Sequence, residues 1–107
     1  MGVDSSYGPL QRGITELLEL NLNYNGNPAT GIRVVRPLLV GTNRYKHPAL
    51  IAWWDSGQSY SAKGPGLRTF LLAHIVNAGF TGNHFSTPPV GAFEYAAKNN
   101  WIVDYYI

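Results

Sequence analysis

Residues 32–40 read Ile-Arg-Val-Val-Arg-Pro-Leu-Leu-Val, and the predicted fold is built around this stretch. Its β-branched and aliphatic side chains favour a strand. Pro37 interrupts the run, and a proline cannot donate a hydrogen bond to a neighbouring strand. The stretch therefore predicts a bent strand, with a bulge, a bend or a sheet edge at Pro37.

The sequence before this strand predicts a helix followed by another strand. Residues 20–24 alternate apolar and polar side chains, which is the period of a half-buried strand, and residues 25–28 have turn chemistry. Residues 9–20 have helical spacing of their apolar side chains, and Pro9 suits a first helical turn. The apolar positions on that helical face are Leu10, Ile14, Leu17 and Leu18.

The sequence after it predicts two further strands, at residues 49–54 and 67–72, with a long loop at 55–66 between them. Residues 73–80 are expected to turn away from the last of these strands. The weaker pattern of residues 86–107 favours a short helix at 92–98 and a terminal strand at 101–107. It leaves open whether this segment completes the same barrel or swaps onto a second copy.

Together these elements predict a mainly β fold with an N-terminal α-helix, arranged as a small bent barrel. With 107 residues, the chain has the length of a single domain over 1–107, with the helix at about 9–20 and the barrel at about 20–85. Its apolar runs are far shorter than the roughly 20 residues that cross a bilayer. No secretory pattern is visible at the N-terminus, so we expect a cytoplasmic protein. The absence of cysteine excludes disulfides and thiolate nucleophiles.

Positive charge is concentrated in the middle of the chain, although the formal net charge is only +2. Such a local excess favours an anionic partner, whereas the alternative is a set of solvated strand faces and loops. The residues of this basic stretch are Arg33, Arg36, Arg44, Lys46, Lys63 and Arg68, and the single acid among them is Asp55.

The order of these signals resembles the WYL domain family. The matching segments are residues 22–26, Arg33-Val34-Val35-Arg36-Pro37, residues 50–53, residues 57–61 and residues 68–75, which begin with Arg68-Thr69-Phe70. The resemblance implies an SH3-like or Sm-like barrel and a ligand-sensing role in transcription control or phage defence, with nucleic-acid ligands. The chain departs from the family in two places. Pro48-Ala49-Leu50 replaces the Trp-Tyr-Leu triplet, and His74 replaces the second family arginine. No helix-turn-helix pattern accompanies the domain, so a stand-alone, divergent version is expected.

Arg33 and Arg68 are the first candidates for ligand binding, because a guanidinium group binds phosphate or carboxylate through two hydrogen bonds. The resemblance places both in one pocket, and His74, which replaces the second family arginine, is a further candidate for ligand binding. Tyr24 and Tyr60 are candidates for stacking on a base or for donating a hydroxyl hydrogen bond. The alternatives are an arginine paired with an acid or lying on the surface, and a Tyr24 ring in the core.

Trp53 and Trp54 are neighbours on one predicted strand, so their side chains must point to opposite faces. We expect one in the core and one outward. An outward Trp54 would be a stacking platform or an interaction surface, for example in a homodimer.

No catalytic motif is recognisable, and the chain is therefore expected not to be an enzyme and to bind no metal or cofactor. The sequence predicts a ligand-binding module for an anionic ligand, single-stranded nucleic acid or a nucleotide. The alternative is a structural module that forms a homodimer or docks to a larger protein. The acid and base residues weighed for catalysis are His47, His74, His84, Asp55, Glu94 and Asp104.

Overall fold

The computed structural model describes residues 2–25, 30–57, 66–86 and 91–106, and it confirms a mainly β fold with an N-terminal helix. The helices are α1 (Gly2–Glu16) and α2 (Ala92–Lys98), and a 3-10 turn covers Leu72–His74. The strands are β1 (Leu18–Asn25), β2 (Thr30–Thr42), β3 (Pro48–Gly57), β4 (Gly66–Leu71), β5 (Ile75–His84) and β6 (Ile102–Tyr106). They form one antiparallel sheet in the order β4-β3-β2-β1-β5, and β6 also pairs with β2.

Strand β2 connects the parts of the sheet, because one of its edges pairs with two different strands in turn. On one edge it pairs with β3 from Arg33 to Thr42. On the other edge it pairs first with β1, as far as Val35, and then with β6 from Leu39 onward. Pro37 lies in the gap between these two partners, where its missing N–H removes no bond to either strand. The β2–β3 register also shifts between Pro37 and Leu39, so the irregularity predicted at this proline is confirmed.

Two hydrophobic clusters lie on opposite faces of the bent sheet. Helix α1 packs on the first and helix α2 packs on the second. The first contains Leu10, Ile14, Leu20, Leu22, Tyr24, Val35, Val40, Leu50, Ala52, Phe70, Leu72 and Ile75. The second contains Leu38, Leu39, Ile51, Phe85, Ala92 and Ala96, with Trp53, Trp101 and Val103 packed against it.

Helix α1 begins and ends earlier than the predicted range of residues 9–20. Pro9 lies inside the helix and not in its first turn. Leu17 has a left-handed φ of 57° and ends the helix, after which Leu18 pairs with His84 of β5. Leu17 and Leu18 have helical spacing, but Leu18 contributes to the core from a strand. The helix approaches β2 closely at Gly13, where a Cβ atom would lie 2.8 Å from Cγ of Pro37.

The last third of the chain completes the sheet. Residues 73–80 were expected to turn away, but Ile75–His84 form β5 and pair with β1. The final strand pairs with β2 of the same chain and so completes the sheet. Gly41 permits this pairing, since a Cβ atom there would collide with the carbonyl oxygen of Ile102. Of the predicted loop, residues 55–57 belong to β3, Gly66 belongs to β4, and residues 58–65 lie outside the described residues.

Candidate ligand-binding face

One face of the sheet carries two arginines and three aromatic rings, and we call it the arginine face. It is the face that also bears the first hydrophobic cluster. Its residues come from four strands and are Tyr24 of β1, Arg33 of β2, Trp54 of β3, and Arg68 and Phe70 of β4.

The strand register brings the two predicted arginines to this common face. Val35 shares a face with Arg33, because residues two apart in a strand point the same way. Val35 lies opposite Trp54, and Ala52 lies opposite Arg68. Cross-strand partners share a face, and Trp54 and Ala52 are two residues apart on β3. Arg33 and Arg68 therefore lie on the same face, separated by β3.

Arg33 is held beneath the surface by two rings. Arg33 is only 3% exposed. Its guanidinium carbon lies 5.2 Å from the ring centroid of Tyr24 and 5.7 Å from that of Phe70. Nη1 donates a hydrogen bond of 3.0 Å to the carbonyl oxygen of Gly31. Burial lowers the pKa of Arg33, and the negative charge that Tyr24 acquires on ionisation acts in the opposite direction. Arginine stays protonated in proteins, so the face contains a buried positive charge.

Tyr24 is a buried ring, 8% exposed, that fastens β4 to β1. Its hydroxyl oxygen accepts a hydrogen bond of 3.0 Å from the backbone N–H of Leu71. Its ring packs edge-on against Phe70, with 5.2 Å between centroids, and against His74, with 5.9 Å. Its hydroxyl is thus engaged with the backbone.

Arg68 and Trp54 form the more accessible part of the arginine face, since both are half-buried. The guanidinium carbon of Arg68 lies 5.4 Å from the Trp54 ring centroid, and its Nη1 donates a hydrogen bond of 2.9 Å to the carbonyl of Leu67. The indole Nε1 of Trp54 is buried and has no hydrogen-bond partner within the described part of the chain. A buried donor without a partner costs about 1–3 kcal/mol, and a ligand that accepts a hydrogen bond from this N–H would remove that cost.

The prediction of one outward tryptophan is wrong. Trp53 and Trp54 do point to opposite faces, but both are half-buried, Trp53 against the second cluster and Trp54 against the first. The reason is that both faces of β3 are covered, one by the first cluster and one by the second cluster, which includes residues of α2.

The remaining predicted residues are not all brought together. His74 is exposed at the end of the 3-10 turn and borders the arginine face through Tyr24. Tyr60 lies outside the described residues. His47, His84, Glu94 and Asp104 are exposed on four different elements, and the side chain of Asp55 is not described. Within residues 2–25, 30–57, 66–86 and 91–106, no group of three or more His, Asp and Glu side chains is placed to hold a metal ion.

Phe70 and Trp54 are members of this face that the residue-level prediction did not assign to the pocket. The signal for Phe70 was its spacing of two residues from Arg68, which places both side chains on one side of a strand. Trp54 carried no such signal, because its face depends on the register between β2 and β3.

No family model matches the chain, and neither a curated protein nor a solved structure matches it. Geometry alone therefore supports the site. In the described residues, no helix is both long enough and apolar enough to cross a membrane.

Proposed function

We propose that the chain is a non-catalytic module that binds an anionic ligand, single-stranded nucleic acid or a nucleotide, on the arginine face. One observation carries the proposal. Two guanidinium groups lie on the same face of the sheet, and each lies beside an aromatic ring, Arg33 by Tyr24 and Phe70 and Arg68 by Trp54. Basic groups combined with aromatic rings are the usual means of binding single strands.

The two arginines have different roles in this proposal. Arg68 is half-buried and its fork binds a phosphate, while the buried N–H of Trp54 donates to the same anion. Arg33 is too buried for surface contact, and its positive charge attracts the anion from below, where solvent screens little. His74 lies exposed at the border and adds a donor. The contribution of Tyr60 stays a prediction.

The same arrangement supports the WYL-like interpretation, which remains a proposal. A helix followed by strands that bring Arg33 and Arg68 to one face is the arrangement that this resemblance implies. A sensor role in transcription control or phage defence is proposed from the resemblance alone.

Fluorescence anisotropy of a labelled oligothymidylate of about 12 nucleotides, at two salt concentrations and beside a duplex, tests the proposal. Arg68→Ala removes a charged donor, and we expect binding to weaken by about tenfold or more at low salt. Arg12→Gln is the matched control, because it also removes one positive charge but lies exposed on α1, paired with Glu16 and outside the arginine face. We expect that change to weaken binding by less than about twofold. Equal losses in the two variants would refute the arginine face.

A second candidate is a protein-interaction module, and strand β6 favours it. Among the described strands β6 pairs with β2 alone, and its Ile102 is 71% exposed. Tyr106 of the same strand is exposed and packs on Phe93 of α2, with 4.7 Å between ring centroids. Apolar side chains along a sheet edge are typical of self-association. Sedimentation should then show a dimer that Ile102→Lys dissociates, and a monomer at every concentration would exclude this homodimer.

A further inference from the structure

Apart from the arginine face, a cleft lies along β4, on the side facing α2 and the turn between β2 and β3. It consists of two adjoining cavities of about 170 and 230 Å³ that share Thr69 and Tyr95. We call it the β4–α2 groove and define it by Arg44, Tyr45, Arg68, Thr69, Tyr95 and Trp101.

Aromatic rings line this groove and remain open to solvent. Tyr45 is 64% exposed and Tyr95 is 44% exposed. Tyr95 is fixed edge-on against Trp101, with 6.4 Å between ring centroids. Arg44 lies beside the Tyr45 ring at 4.9 Å and donates a hydrogen bond of 2.8 Å to its hydroxyl. The exposed rings provide surfaces on which a planar group can stack.

The turn that presents Tyr45 is ordered by its own hydrogen bonds. Asn43 accepts bonds of 3.0 Å at Oδ1 from the backbone N–H groups of Tyr45 and His47. At the other side of the groove, Asn99 donates a bond of 2.8 Å to the carbonyl of Tyr95. Such preorganisation lowers the entropy that binding costs.

The charge of the groove is positive. Arg44 and Arg68 line it, and the side chains described around both cavities include no carboxylate. This lining favours an anion over a neutral ligand.

Two backbone groups on the outer edge of β4 already form hydrogen bonds, which disfavours the pairing of an added peptide strand with β4. The N–H of Leu71 donates to the hydroxyl of Tyr24, and the carbonyl of Leu67 accepts from Arg68. A peptide strand would have to displace both bonds to pair with β4. The groove is therefore better suited to a ligand that contacts side chains.

We infer that the β4–α2 groove binds single-stranded nucleic acid, with bases stacked on Tyr45 and Tyr95 and phosphates bound by Arg44 and Arg68. This inference extends the proposed function and rests on it, because Arg68 borders both the groove and the arginine face. A single strand that crosses the edge of β4 contacts both surfaces.

The test measures anisotropy with two labelled probes of about 12 nucleotides, an oligothymidylate and an abasic oligomer of equal phosphate count. Tyr45→Leu and Tyr95→Leu remove a ring but keep an apolar side chain. Each should weaken oligothymidylate binding about 5- to 100-fold and weaken binding of the abasic oligomer much less, because the abasic oligomer loses only the positioning of Arg44 by Tyr45. Tyr106→Leu is the control, because it removes an exposed tyrosine of β6 outside the groove lining.

Thermal unfolding is followed for every variant, and Tyr45→Leu keeps the test valid if the less exposed Tyr95 proves necessary for folding. If Tyr45→Leu binds the oligothymidylate as Tyr106→Leu does, the inference is overturned. Equal losses with both probes would also overturn it, since phosphates and not bases would then be affected. If only the groove inference fails, Arg68→Ala and Trp54→Phe still weaken oligothymidylate binding. Failure of the proposed function would leave Trp54→Phe without effect, because Trp54 lies outside the groove lining.

Discussion

Tyr24→Phe tests the link between β1 and β4 that supports the arginine face. The substitution removes one oxygen atom and with it the 3.0 Å hydrogen bond from the N–H of Leu71. The ring remains, with its edge-on contact to Phe70 at 5.2 Å and its contact to the Arg33 guanidinium at 5.2 Å. The variant therefore isolates the hydroxyl from the packing.

The expected loss follows from the environment of this bond. A hydrogen bond in a protein contributes about 0.5–1.5 kcal/mol, and a buried donor left without a partner costs up to about 3 kcal/mol. The Leu71–Tyr24 bond is partly buried, so we expect the free energy of unfolding to fall by about 1–2 kcal/mol. For a chain of this size, that corresponds to a decrease of about 5–12 °C in Tm.

Urea and thermal unfolding followed by circular dichroism measure this loss. Tyr45→Phe is the matched control, because its hydroxyl also accepts one hydrogen bond, of 2.8 Å from Arg44, but at an exposed site. We expect the control to lose less than about 0.5 kcal/mol. If Tyr24→Phe were as stable as Tyr45→Phe, the Tyr24 hydroxyl would not fasten β4 to β1.

Two glycine substitutions test the close contacts that shape the sheet. Gly13→Val inserts a side chain where α1 touches β2, and we expect a loss of about 1–3 kcal/mol in urea unfolding. Gly8→Ala in the same helix has open space and should instead stabilise by up to about 1 kcal/mol, so a reversed order would contradict the packing. Gly41→Ala places a Cβ atom against the carbonyl of Ile102, and hydrogen exchange should show faster exchange in β6. Gly79→Ala has open space, and equal exchange in these two variants would disprove the contact.

The sequence predicted most of the elements and missed β5. Strands β1 to β4 were identified from alternation or from β-branched and aliphatic composition, and α2 and β6 from weaker patterns. β5 was missed because most of its side chains are exposed, so it shows little alternation of apolar and polar residues. The end of α1 was misplaced because Leu17 and Leu18 satisfy a helical period and a buried strand position equally well.

The candidate site depended on register as well as on period. Alternation within β4 was sufficient to place Arg68 and Phe70 on one side of that strand. The position of Trp54 required the shift in the β2–β3 register between Val34 and Val35, which is a tertiary feature without a sequence signal. The burial of Arg33 likewise arises from rings on two other strands.

The most direct test of the arginine face uses the indole N–H signals of Trp53 and Trp54 in an NMR titration with an oligothymidylate. The two residues are adjacent on β3 but pack against opposite clusters, so Trp53 is an internal control. Each signal is assigned by a phenylalanine substitution. If the ligand binds on the arginine face, the Trp54 signal shifts as the unpaired Nε1–H gains an acceptor, while the Trp53 signal stays in place. Binding that leaves the Trp54 signal unchanged would contradict binding on the arginine face.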